Sequence, residues 1–164
     1  ICKMKKLFVA KSRIEGNGIY TAEPIKKGEH IAFISGKVRR KKITNARDAQ
    51  TIPLWYGLTD SLWVDPVDTI WRFFNHSCEP NTAITGTKKL IAIKDIAKNS
   101  ELTFDYSMTD ADTFWEMNCK CGSRVCRGKI LSIQRIPERT FNNHLPYIPK
   151  FFIRARKKYL QGSA

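Results

Sequence analysis

Short β-favouring runs separated by turn chemistry set the pattern of the first two thirds of the chain. "KLFVA" (6–10), "HIAFI" (30–34), "SLWV" (61–64), "KLIAIK" (89–94) and "ELTF" (101–104) are the predicted strands. Between them lie "EGNG" (15–18), "EPIKKGE" (23–29), "ISGK" (34–37), "VDP" (64–66) and "AKNSE" (97–101), rich in residues that reverse the backbone. That spacing predicts a mainly β domain of small sheets. "PIKKGEHI" (24–31) faintly echoes "DIAKNSEL" (95–102), each with an apolar-x-Lys turn leading into a strand. Two copies do not make a solenoid.

Helical signals are few. "TNARDAQ" (44–50) has Thr44 or Asn45 as a cap, and "TDADTFWEM" (109–117) has Thr109 or Asp110. From Pro146 onward Ile148, Phe151, Phe152, Ala155 and Tyr159 recur at helical spacing, with Lys150, Arg154, Lys157 and Lys158 among them. This predicts a basic amphipathic helix docked on the core, its aromatic stripe used for packing and its basic side available to nucleic acid. The final "GSA" reads as a frayed end.

Length and composition narrow the picture without naming a function. The 164 residues, 42% of them hydrophobic, suffice for one domain with a real core. No run approaches the roughly 18 apolar residues of a bilayer span, and charges flank the short apolar stretch of "ICKMKKLFVAKSR". Neither a secretory signal nor a membrane anchor is expected, and an intracellular home follows; the start at Ile1 leaves room for an upstream segment. Twenty-nine basic against fifteen acidic side chains give a formal charge of +14, concentrated in "KVRRKK" (37–42) and "KFFIRARKK" (150–158). Such a field attracts polyanions, although basic runs also serve as solvated faces.

The five cysteines sharpen the chemistry. Cys119, Cys121 and Cys126 are packed into "CKCGSRVC", with Cys2 and Cys78 far away. An odd, clustered set fits metal binding better than a disulfide framework. Three thiolates leave a tetrahedral zinc site one ligand short, to be supplied by Cys78, Cys2 or a histidine. A turn-rich knuckle suits redox-inert zinc better than copper or an iron-sulfur cluster.

"GNGIY" (16–20), "RFFNHSCEPN" (72–81), "ELTFDY" (101–106) and "CKCGSRVCRG" (119–128) occur in the order and at about the separations of one family. The chain resembles SET-domain protein lysine methyltransferases with a post-SET zinc knuckle, over about residues 7 to 131. The resemblance implies a β-clip-like fold of small curved sheets in which "ELTFDY" lies beside the "NHSC" loop as a C-terminal pseudoknot. It divides the chain into a SET domain (1–117, with a short insert at about 39–63), a post-SET motif (118–131) and a C-terminal extension (132–164).

The resemblance also implies S-adenosylmethionine and structural zinc as cofactors. Gly16, Asn17, Gly18, Ile19 and Tyr20 would run along the cofactor, the glycines letting backbone approach its methionine portion. Asn75 would bond its amino acid end, His76 would hold adenine through its backbone, Arg72 and Phe73 would wall the pocket, and Ile130 or Leu131 would cover the purine. Cys78 would join Cys119, Cys121 and Cys126 on the metal and so fasten the knuckle over the site. Tyr106 stands at the catalytic tyrosine position, with Phe104, Ile34 and Phe74 along the lysine channel. Phe at 104 implies capacity for di- or trimethylation.

The sequence departs from the family's pattern in several places, the insert between "SGKV" and "VDP" being only about 25 residues and no cysteine-rich region preceding the core. "FISG" (33–36) puts Phe33 and Ile34 where an acid and a channel tyrosine are common, and Asn99-Ser100 replaces the usual Gly-Glu turn. The implied substrate is a histone tail or nucleosome, with a nuclear or chromatin-associated location, a host nucleus included. A methyltransferase of another basic protein, a silent SET module on chromatin or RNA, and a zinc-dependent nucleic-acid binder are the competing readings. The last leaves the first three motifs unexplained.

Overall fold

The computed structural model of the chain describes residues 4–52 and 54–162, so Cys2 and the last two residues lie outside the description. The strands are β1 (Leu7–Lys11), β2 (Asn17–Thr21), β3 (His30–Phe33), β4 (Lys37–Arg40), β5 (Tyr56–Gly57), β6 (Leu62–Asp65), β7 (Thr82–Thr85), β8 (Lys89–Ala92), β9 (Glu101–Leu102), β10 (Glu116–Asn118) and β11 (Lys129–Leu131). Helices are α1 (Ala46–Gln50), α2 (Glu138–His144) and α3 (Lys150–Gly162). Three small antiparallel sheets result, ordered β1-β2-β9, β3-β8-β7 and β4-β6-β5, with β10 and β11 as a separate hairpin. Among the described residues no helix is long and apolar enough to cross a membrane.

Alternation explains why the predicted strands hold. Ile19, Ile31, Val64, Leu90 and Leu102 point inward from five different strands of the three sheets, and each is essentially sealed from solvent. They form one cluster with Ile34, Phe74 and Phe104. The echoing turns meet: Ile25 and Ile96 exchange backbone hydrogen bonds at 2.9 and 2.8 Å. Asn99 takes a left-handed conformation there (φ 62°), which Asn tolerates where most residues resist. The Gly-to-Asn departure is thus accommodated.

"ELTFDY" lies beside the "NHSC" loop through a parallel bridge between His76 and Phe104. Ser77 N donates to Phe104 O (3.1 Å) and Phe104 N to Asn75 O (3.3 Å). Two distant motifs therefore share a ladder at the centre of the molecule.

Two sequence expectations need correction. "TDADTFWEM" is not a helix but a 3-10 turn (Tyr106–Thr109), an irregular bend and strand β10. Asp110 accepts from Asp112 N (2.7 Å) and Asp112 from Phe114 N (2.9 Å), so the aspartates hold successive tight turns instead of capping a helix. The terminal helix forms as expected, with Asn45 likewise capping α1, and Ile148, Phe151 and Phe152 of the predicted stripe pack on the core, but the buried face gains Arg156 and loses Tyr159. Phe152 and Arg156 are buried, whereas Tyr159 is exposed. Arg156 is sealed because its guanidinium donates to the carbonyls of Ile133, Gln134 and Ile136 and meets Glu138. Phe152 anchors α3 in a second cluster with Met108, Ile133, Ile136 and Ile148. A Cβ at Gly57 would come within 2.4 Å of Thr109 O and 3.2 Å of the Phe152 ring, so that glycine lets α3 close onto the insert.

Candidate active site

Two cavities meet at Tyr106. The narrower, about 20 Å³, is walled chiefly by Tyr56, Trp71, Phe74, Phe104 and Trp115 and has room for roughly one water. The wider, about 130 Å³, runs between Ile14, Asn75, His76, Met117 and Ile130. Tyr106 and Leu54 line both. An aromatic slot and a mixed apolar and polar cleft therefore share the phenol as a common wall, and the cleft has the usual character of a small-molecule site.

Local packing fixes the phenol. Tyr106 Oη donates to Phe74 O (2.7 Å), and its backbone N–H donates to His76 Nδ1 (3.2 Å). Burial raises its pKa, so the hydroxyl stays neutral at physiological pH. The Phe104 ring sits 4.6 to 5.5 Å from the rings of Phe74, Tyr106 and Tyr56. Tyr56 Oη is committed to Trp71 O at 2.6 Å. Asp110 also lines the slot, where burial pushes its carboxyl up to about 8.

Asn75 is a tie as well as a wall. Its Nδ2 reaches Glu15 O, Asn17 O and Glu101 Oε1 at 2.8 to 3.1 Å. The same Glu101 carboxylate accepts from Ser12 Oγ and, at 3.3 Å, from Tyr20 Oη. A Cβ at Gly18 would stand 2.2 Å from that carboxylate, so Gly18 makes room for Glu101. Gly16, Asn17, Ile19 and Tyr20 build the strand behind the cleft: Ile19 enters the core and Tyr20 stacks on Phe8.

Other predicted positions divide. Arg72 lines the slot with its guanidinium over the Phe73 ring, while Phe73 itself packs on the core. Ile130 faces the cleft; Leu131 packs against the second cluster. Ile34 is a core residue and is absent from the slot wall, because strand alternation turns it inward and exposes Phe33. Tyr56, Trp71 and Trp115 escaped the sequence reading. They come from the insert, a 3-10 turn and the bend after Thr109, and no local motif links them.

Beside the cleft, one donor atom each of His76, Cys78, Cys119 and Cys121 lie within 4.8 Å of one another. Cys78 and Cys119 sulfurs are 3.7 Å apart, against about 3.8 Å for the edge of a tetrahedron with 2.3 Å zinc–sulfur bonds. The donor set thus fits zinc. Cys126, expected as a ligand, is not within that distance of all four, but its thiol interacts with that of Cys119 and its sulfur accepts from Gly128 N at 3.4 Å. His76 Nε2 lies 3.3 Å from Cys78 Sγ. With Nδ1 accepting from Tyr106 N, the ring is neutral with its proton on Nε2, and burial holds its pKa at about 4.

A second fastening needs no metal. Arg127, in the knuckle, donates two hydrogen bonds to the buried carboxylate of Asp105 (2.6 and 2.8 Å), adjacent to Tyr106, and one to Ser107. Burial alone would raise the Asp105 pKa, but Arg127 outweighs it and holds the carboxyl below its ordinary value. At the cleft mouth Lys120 of the knuckle pairs with Glu15.

Comparisons with known proteins bear on this geometry. The trithorax histone-lysine N-methyltransferase of Drosophila virilis is 35% identical over 133 residues, 73% of this chain. A Neurospora crassa histone-lysine N-methyltransferase described as H3 lysine-4 specific is 31% identical over 142 residues, 77% of this chain. The chain spans only 3% and 11% of the length of these two relatives. Among solved structures, KRYPTONITE in complex with mCHG DNA and SAH aligns with a TM-score of 0.60 and 25% identity, over 77% of this chain and 29% of that one. Residues 16–107 match the SET domain, more than half of the sequence and including Asn75, His76, Phe104 and Tyr106, and this chain belongs to the SET domain family.

Proposed function

We propose that the chain transfers methyl groups from S-adenosylmethionine to the ε-amine of a protein lysine, and that the lysine belongs to a histone. The observation that carries this reading is the junction of a tight aromatic slot and a wider cleft at the Tyr106 hydroxyl. The names of the two histone methyltransferase relatives support the substrate class, and with it a nuclear location on chromatin.

When bound, S-adenosylmethionine supplies a methyl group on a cationic sulfur. Ile14, Met117 and Ile130 offer apolar surface to its purine. The Asn75 amide nitrogen is fully engaged, which leaves Oδ1 to accept from its amino group; the backbone of His76 would hold the adenine edge. A free lysine has a pKa of about 10.4 and its ammonium has no lone pair for attack. Burial among Tyr56, Trp71, Phe74, Phe104 and Trp115 disfavours the charged form. Because Tyr106 gives its proton to Phe74 O, its oxygen lone pairs remain to orient the neutral amine. Alignment is the phenol's contribution.

Phe104 has no hydroxyl, and that of Tyr56 gives its proton to Trp71 O, so neither donates a hydrogen bond to a space-filling water. Room remains for an amine that already carries methyl groups, giving di- and trimethyl-lysine. Cys78, Cys119, Cys121 and Cys126 would hold zinc, with His76 Nε2–H donating to Cys78. X-ray absorption of the zinc-loaded chain reads four sulfurs in this case; three sulfurs and one nitrogen would put His76 on the metal instead. Residues 132–164 are an extension that braces the turn after Tyr106 through Phe152.

Mass spectrometry of histones and nucleosomes incubated with enzyme and S-adenosylmethionine tests the activity. Di- and trimethyl-lysine at defined sites is expected. Calorimetric binding of the cofactor with no methyl gain on any histone would overturn the histone substrate and leave a methyltransferase of another basic protein or a silent module.

A further inference from the structure

Two basic runs that are more than a hundred residues apart in sequence converge on one surface, which the methyl-transfer reading does not use. In α3, Lys150, Arg154, Lys157 and Lys158 occupy positions i, i+4, i+7 and i+8, within roughly a 100° arc of the helix. The buried Phe152 and Arg156 lie on the opposite side, so packing aims the cations outward. A broad open groove of about 660 Å³ lies along α3, lined by Arg154, Lys158, Asp60 and Ala111. A neighbouring groove shares Asp60 and Ala111 as its wall and has Lys42 on its far side. Lys42 closes the "KVRRKK" run that begins in β4.

These cations are unspent. Lys5, Lys26, Lys37, Arg39, Lys120, Arg127, Lys129, Arg135 and Arg156 pair with carboxylates. Arg40, Lys42, Lys150, Arg154, Lys157 and Lys158 are all exposed and, among the described residues, have no ion pair. Asp60 and the buried Asp112 are the acids that line these grooves. A chain carrying +14 has no self-neutralising use for such a face.

We propose that the exposed face of α3 and the Arg40–Lys42 segment form one docking surface for the phosphate backbone of duplex DNA. The helix is about 20 Å long, which spans several phosphates of a duplex. Its cations stand on a rigid rod; Phe151 and Tyr159 line the groove beside them, two rings rather than the continuous row on which successive bases of a single strand stack. Contacts of this kind position without reading sequence. The inference deepens the histone-directed reading: a histone lysine presented beside DNA would be held near the slot by a surface that repels a free basic tail. Binding itself needs no cofactor.

The test is fluorescence anisotropy of a labelled 20-base-pair duplex with the full 164-residue chain across a salt titration. Replacing Lys150, Arg154, Lys157 and Lys158 together by Ala should weaken binding at least tenfold at low salt. Each phosphate contact contributes about 0.9 to the slope of log affinity against log salt, so the slope should fall by about 3 to 4. Arg40→Ala with Lys42→Ala should lower it by about 2 more, and Asp60→Asn should tighten binding. The fourfold variant keeps Phe152 and Arg156, and its thermal unfolding should match the parent. An unchanged slope in the fourfold variant overturns the surface, and tighter binding of single-stranded RNA than of duplex overturns the choice of ligand. Duplex binding without methyl transfer would sink the activity and leave this surface standing; methyl transfer without duplex binding would do the reverse.

Discussion

The sheets around Ile19 and Leu102 and the hairpin of β10 and β11 are held together by different physics. The first region seals branched aliphatic and aromatic side chains from solvent, and burial of that kind contributes about 25 cal/mol for each Å² of apolar surface. In the second, Met117 and Val125 are exposed, and Ile130 is the apolar side chain that is buried. A thiol cluster, the Arg127–Asp105 pair and the Lys120–Glu15 pair hold it down. The core is ordered by its own composition. The knuckle is ordered by a few polar fastenings that end beside Tyr106, which makes the closed cleft conditional.

The largest break in that comparison is removal of the proposed zinc. A structural zinc contributes on the order of 10 kcal/mol to folding of the segment that binds it. After chelation, amides of 116–131 should lose hydrogen-exchange protection and methyl transfer should cease, while β1, β2 and β8 stay protected. Loss of protection everywhere would mean that the two regions are one cooperative unit. Next comes Arg127→Ala, which strands the Asp105 carboxylate in a buried site; about 3 to 5 kcal/mol of stability should go. Chemical denaturation measures it. A cost below about 1 kcal/mol would show that the pair does not fasten the knuckle.

One pH effect belongs to the core side. Asp110 has a folded pKa of about 8, raised by burial, against about 3.9 in the unfolded chain. The folded state holds that proton more tightly, so its contribution is full below about pH 4 and declines as pH rises toward 8. Asp110→Asn should flatten that decline in melting temperature while leaving zinc content unchanged. The smallest effect is expected of Lys120→Ala. Its exposed pair with Glu15 is worth about 0.2 to 1 kcal/mol, so stability should barely move while cofactor KM rises, the cleft mouth having lost its strap.

The same contrast governs what the sequence reveals. Strands β1, β3, β6 and β8 are legible because apolar runs bounded by turn residues have one reading. β4 is not: all four residues of "KVRR" are exposed, so no alternation marks it. β10 is hidden because its pairing depends on β11 across the knuckle. Thr109 and Asp110 look like helix caps in one dimension, whereas Asp110 and Asp112 close tight turns in three. Arg156 reads as solvent-facing, since the carbonyls that bury it arrive from Ile133 to Ile136. At the site, "NHSC", "ELTFDY" and the cysteine spacing are compact enough to read directly. The slot's wall is not, because Tyr56, Trp71 and Trp115 meet only after the insert folds back on the 3-10 turn.

The junction at Tyr106 is tested most directly by single-turnover methyl transfer to a histone H3 substrate by Tyr106→Phe, alongside cofactor affinity of the same variant. Loss of the orienting oxygen should slow transfer on the order of 100-fold, with cofactor affinity changed less than about threefold, since the cleft's other walls remain. Transfer at the parent rate, or a slowing wholly explained by lost cofactor binding, would contradict a role for this phenol in aligning the amine.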